Sequence, residues 1–148
     1  MPFFAGQDRE SLRRVWQEAW RKHGTGTPME PLEAQLNDVI LLHPEYHAVL
    51  AQGHESLAQD WTPEGGQSNP YLHMGLHLAI RDCIGTDRPQ GLRAVFERLL
   101  ASEESSHAAE HVLLECLGEV LWEAQRGGFP PDENVFLEKC RRRAGLAA

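Results

Sequence analysis

Apolar residues recur at three- and four-residue steps along most of the chain, and strand-like alternation is absent. That period matches a helix of 3.6 residues per turn, whereas a half-buried strand changes face at every residue. The expectation is an all-α fold. In "QDRESLRRVWQEAWRKHGTG", Leu12, Val15, Trp16, Ala19, Trp20 and His23 share one face; Asp8 can cap the start and Gly24 supplies the stop. The next helix enters through Pro31 and carries Leu32, Leu36, Val39 and Ile40 on one stripe. Pro44 should end or kink it, because the ring removes a donor and clashes with the preceding turn. A short helix over roughly 44–52 follows.

Residues 53–69, "GHESLAQDWTPEGGQSNP" with its flank, show no period and are dense in Gly, Pro, Asn and Ser. A connection of that length is more often functional or mobile than idle. Trp61 is expected to pack back onto the helices. Asn69 and Pro70 open "YLHMGLHLAIRDCIG" as cap and first-turn proline. Asp87 can cap the helix of "RPQGLRAVFERLLAS", whose Leu92, Val95, Phe96, Leu99 and Leu100 face inward. Ser105 or Ser106 caps a long helix that Gly127 and Gly128 close, and Asp132 caps a last short helix at about 132–143. With short connections elsewhere, the natural architecture over 1–148 is one helical domain, a compact bundle of about four core helices with short flanking ones.

A chain of 148 residues buries a real core without staples. Its net charge of −8 and pI of about 5.4 argue against a nucleic-acid binder, which needs a basic face to displace counterions. The basic run of Lys139 and Arg141 to Arg143 falls in the last turn of a helix, where cations complement the dipole. Cys83, Cys116 and Cys140 are odd in number and form no CxxC, so free thiols and a reducing compartment are expected. No signal peptide and no membrane-spanning run is evident, so the expectation is a soluble, cytoplasmic protein.

The residues that point to chemistry are histidines. His43 and His47, His73 and His77, and His107 and His111 each stand four apart, which places both rings of a pair on one helix face. Eight His scattered at random over 148 positions give roughly 0.4 such pairs; three are present. On the 70–84 helix, His73 and His77 sit at the edge of the Leu76–Ile80–Ile84 stripe, toward an exposed Arg81. On the 106–126 helix the core stripe is Leu113, Leu117, Val120, Leu121 and Ala124. Glu110 falls nearly within it, His107 beside it and His111 further round. An inward carboxylate among leucines is costly unless it is neutralised, paired or metal-bound. His43 extends the Leu36–Val39–Ile40 face, and the bend at Pro44 decides where His47 points.

Imidazoles with a carboxylate suit transition metals, and bundles build internal sites in this way. The expected centre is formed by His73, His77, His107, Glu110 and His111, with His43 and His47 as contributors. It would hold one or two ions of iron, zinc or manganese. An O2- or peroxide-using non-haem oxidoreductase is the leading reading and a metal-assisted hydrolase the next. The ligand style resembles that of hemerythrins and ferritin-like oxidases, although the Glu-x-x-His order of the latter is reversed in His107-x-x-Glu110. "HAAEH" also matches the H-x-x-E-H peptidase signature, whose enzymes are larger α/β proteins. The competing reading is a non-catalytic interaction protein, monomer or homodimer, with an internal His/Glu hydrogen-bond network. Glu115, Glu119 and Glu123 read as a solvated face, and Glu33 as a lesser ligand candidate. No dinucleotide fingerprint, phosphate-cradling loop or nucleophile elbow occurs, and the sequence identifies neither catalytic residues nor a small-molecule ligand.

The segments "GQDRESLRRVWQEAWRKH", "PLEAQLNDVILLHPEYH", "TPEGGQSNPYLHMGLHLAIRDCIGTDRP" and "AEHVLLECLGEVLWEAQR" resemble a bacterial, proteobacterial family catalogued as domain-of-unknown-function family 1841. The resemblance covers roughly residues 5–140. It implies a small, cytoplasmic, helical protein and brings no settled activity with it.

Overall fold

The computed structural model describes residues 9–59, 61 and 69–146, without the side chain of His54. The expected cap at Asp8, and residues 60 and 62–68 of the irregular segment, lie outside the described residues. Among those described there are eight α-helices and no strand: α1 Arg9–Thr25, α2 Pro31–Leu41, α3 His47–Ala51, α4 His54–Ala58, α5 Pro70–Thr86, α6 Leu92–Ser102, α7 Ser106–Gly127 and α8 Glu133–Arg143. The protein is all-α. No helix among the described residues is long and apolar enough to cross a membrane. The chain divides into two compact units, Met1–Gly75 and Leu76–Ala148, with the boundary inside α5.

In the first unit, α1 packs on α2, α3 and α4. Trp16 and Ala19 of α1, Leu36, Val39 and Ile40 of α2, Leu50 of α3 and Leu57 of α4 are buried. Val15 and Leu32, expected on the same faces, are exposed. Each stands at the margin of its stripe, which is wider in sequence than the strip a short neighbouring helix covers. Helix α1 runs past Gly24 to Thr25, and Gly26 supplies the left-handed residue with φ +68. Pro44 ends α2 as expected, and the following segment splits into a 3-10 turn, Pro44–Tyr46, and α3.

The irregular segment departs from its sequence reading, because it holds a five-residue helix, α4. A helix so short does not persist alone. Arg13 supplies what it lacks. The buried guanidinium donates to the carbonyls of Ser56, Leu57 and Gln59 at 3.1, 3.0 and 2.8 Å, capping the end of α4. Its carbon lies 5.0 Å from the ring centre of Trp61 and 5.1 Å from that of Tyr71. Trp61 thus packs inward, as its place in the sequence suggested. At the start of α5, Asn69 Oδ1 accepts from the backbone N–H groups of Tyr71 and Leu72.

In the second unit, Ile80 of α5, Leu92, Val95 and Leu99 of α6, Leu113 and Val120 of α7 and Phe136 of α8 form one core. Phe96 is partly buried against that core, and Leu100 is exposed. The expected caps are in place. Asp87 Oδ1 accepts from the N–H of Arg93, Ser105 Oγ from Ala108 and Asp132 Oδ1 from Asn134. Gly128, φ +72, closes α7. Leu121 is exposed although it was read into the core stripe. It shares its angular position on α7 with Glu110 and Leu114, both buried nearer the start, so that flank is covered only there.

Candidate metal centre

Helices α5 and α7 bring His77, His107 and His111 together. Their ring centres form a nearly equilateral triangle: 4.9 Å from His77 to His107, 4.9 Å from His77 to His111 and 5.0 Å from His107 to His111. One ring nitrogen of each lies within 4.8 Å of those of the other two. The pair on α7 meets by helical geometry alone, since four residues advance the helix little more than one turn. His77 joins them through the packing of Ile80, one turn further along α5, into the core that α7 shares. His77 is fully buried, rather than at the stripe's edge as expected, and His107 and His111 are half-buried.

Glu110 does not point at the triangle's nitrogens as a bare carboxylate. Its Oε1 accepts from His77 Nδ1 at 2.9 Å and from Arg81 Nε at 2.9 Å. Burial pushes its carboxyl pKa up, but the His77 and Arg81 hydrogen bonds and the Arg81 charge outweigh that and hold it below the usual carboxylate range. An ionised carboxylate only accepts, so the proton of that bond sits on Nδ1. This is the arrangement in which an outer carboxylate orients a ligating imidazole.

Arg81 was read as an exposed residue; it is partly buried and completes the carboxylate's shell. The signal was present in the sequence, because Arg81 stands four residues after His77, the same spacing that pairs the histidines.

In the first unit, His43 is buried, with Nδ1 2.8 Å from the Val39 carbonyl. Its ring lies 5.0 Å from that of His73 and 5.4 Å from that of Tyr46, centre to centre. His47 turns toward α1 and α2: Nε2 is 3.0 Å from the Ile40 carbonyl and its ring is 4.3 Å from that of Trp20. Glu33 is taken up by Lys22 Nζ at 2.8 Å and by the Glu30 backbone N–H at 2.9 Å. A cavity of about 450 Å³ beside Trp20 and Leu50 is also lined by Arg14 and Arg21, which pair with Glu10 and Glu18.

A family model for a domain of unknown function, DUF1841, matches residues 8–142. The chain belongs to the DUF1841 family. No curated protein and no solved structure matches it. In this DUF1841 chain the matched span contains the three histidines, Glu110 and Arg81.

Proposed function

We propose that His77, His107 and His111 bind one transition-metal ion, and that Glu110 orients His77 instead of serving as a ligand. The observation that carries this reading is the triangle of rings. An ion about 2.1 Å from each ring nitrogen stands about 3.2 Å from each ring centre, so rings at octahedral to tetrahedral angles have centres about 4.5–5.2 Å apart. The three measured separations, 4.9, 4.9 and 5.0 Å, fall inside that window.

An all-imidazole set suits zinc and iron better than manganese, which favours carboxylates. Three protein ligands leave open positions, and a bound ion there would supply Lewis acidity or, with iron, chemistry toward O2 or peroxide. Glu110 fixes the His77 proton of that hydrogen bond on Nδ1, and Arg81 holds Glu110. The three free thiols favour a reducing, cytoplasmic setting for this function, and the acidic net charge a small-molecule rather than a nucleic-acid partner. One observation favours a second reading: Glu110 Oε1 is already satisfied by two donors, as a purely structural network requires.

Elemental analysis of the full chain, purified without a histidine tag, separates the two. Near-stoichiometric iron or zinc, lost in both His77→Ala and His111→Ala, is the expected result. A metal-free chain whose unfolding midpoint ignores added iron, zinc and chelator overturns the proposal and leaves the network.

A further inference from the structure

The cavity of about 450 Å³ in the first unit is a cleft between α1 and the link from α3 to α4. Its apolar wall is Trp20, Leu50 and Ala51, and its charged lining is Arg14, Glu18 and Arg21. The volume falls within the range usual for small-molecule pockets, about 300–1,000 Å³. The walls are set without a ligand. Trp20 is held by the rings of His23 and His47, 5.1 and 4.3 Å away between centres. Gln17, which also lines the cleft, turns its Nε2 to the Gly53 carbonyl at 3.0 Å, Ser56 Oγ at 2.8 Å and Tyr71 Oη at 3.0 Å. These bonds tie α1 to α4 and to Tyr71 beside the cleft.

The charges of the lining are unequally spent. Glu18 gives both oxygens to Arg21, Oε2 to Nε at 3.0 Å and Oε1 to Nη2 at 2.6 Å. That fork-to-fork pair is complete in itself. Arg14 makes no hydrogen bond among the described residues, and its ion pair with Glu10 stands at 4.0 Å with both side chains about half exposed. A pair so long and so exposed holds little free energy. The cleft thus offers one uncommitted guanidinium beside an apolar wall, in a chain whose net charge is −8.

We propose that this cleft binds a small aromatic carboxylate, with the carboxylate on Arg14 and the ring against Trp20 and Leu50. The sign and number of uncommitted charges select the class. A planar guanidinium matches one carboxylate through two parallel N–H donors. A cation finds no open carboxylate in the lining, because Arg21 occupies Glu18. A ring on the other end of the ligand buries apolar area against the indole and Leu50. None of His77, His107 and His111 lines the cleft, so its occupancy is independent of the metal proposal.

Calorimetric titration of the full chain, with a chelator present, tests this with cinnamate as the probe and cinnamyl alcohol as its uncharged counterpart. Cinnamate should bind at one site per chain, and the alcohol about tenfold more weakly for want of the charged contact. Arg14→Gln should bring cinnamate down to the affinity of the alcohol and leave the alcohol unchanged. Glu10→Gln should strengthen cinnamate binding, because a competitor for Arg14 is gone. A Cβ at Gly24, which lines the cleft, meets no heavy atom within 4 Å, so Gly24→Leu fills the space without a clash and removes a glycine from α1. That variant should bind neither compound while keeping at least the parent's urea midpoint. No binding of cinnamate at millimolar concentration, equal affinity for acid and alcohol, or undiminished binding by Gly24→Leu would each overturn the proposal.

Discussion

His77 Nδ1 and Glu110 Oε1 lie 2.9 Å apart with both side chains buried, one on α5 and the other on α7. The contact answers the problem that an inward carboxylate poses on an apolar helix face. Glu110 enters the interior because His77 and Arg81 meet it there, and in return it selects which nitrogen of His77 faces away. Five side chains on two helices thus share one local arrangement, and its parts respond to substitution differently.

Removing the charge but keeping the shape isolates the orienting role. Glu110→Gln should weaken binding of zinc or iron by about 10- to 100-fold, the cost usual for losing an outer carboxylate. Competition against a chelating indicator reads this directly. Unchanged affinity would mean that His77 needs no partner.

Acid should expose the same carboxylate. Its pKa is lower in the folded chain than in the unfolded one, so it contributes stability above the ordinary carboxylate range, about pH 4.3. That contribution is lost as pH falls through the lower folded value. The gap in urea midpoint between the parent and Glu110→Gln should therefore shrink from about pH 7 to about pH 3. A constant gap refutes an ionised Glu110.

Arg81→Met leaves Glu110 with one hydrogen-bond donor in a buried position. The loss should be about 1–3 kcal/mol in denaturant unfolding, and Arg81→Lys should recover part of it as a point charge without the planar fork. Equal stability of Arg81→Met and the parent would show that Arg81 is an onlooker.

Two changes test the frame rather than the site. Ser105→Ala removes the oxygen that accepts the Ala108 N–H at the start of α7, two residues before His107. It should cost about 1 kcal/mol. Leu113 is fully buried in the second unit's core, and Leu113→Ala should cost about 2–5 kcal/mol. Thermal or urea unfolding measures both, and a larger effect for Ser105→Ala than for Leu113→Ala would contradict the burial described.

The helices were legible because their signals are local. Pro31, Pro44, Asn69, Ser105, Gly128 and Asp132 act on backbone groups a few residues away, and the period of apolar residues marks each buried face. The pairing of His107 with His111 belongs to the same class, since one helix sets it. Less legible was how far a stripe is covered, as Leu32, Leu100 and Leu121 show, because coverage depends on the length of the neighbouring helix.

Other pairings have no local signature. Glu115, Glu119 and Glu123 read as a solvated row and the α8 cations as dipole partners, yet Lys139 and Arg143 meet those glutamates from the neighbouring helix. The all-α character, the caps and the facing histidines of α7 follow from sequence alone, because each depends on spacing within one helix. Which helix faces α7, and so which imidazole and guanidinium come to stand opposite Glu110, was settled only by tertiary packing. The crossing of two helices depends on how their surfaces fit, and one-dimensional spacing does not contain that fit.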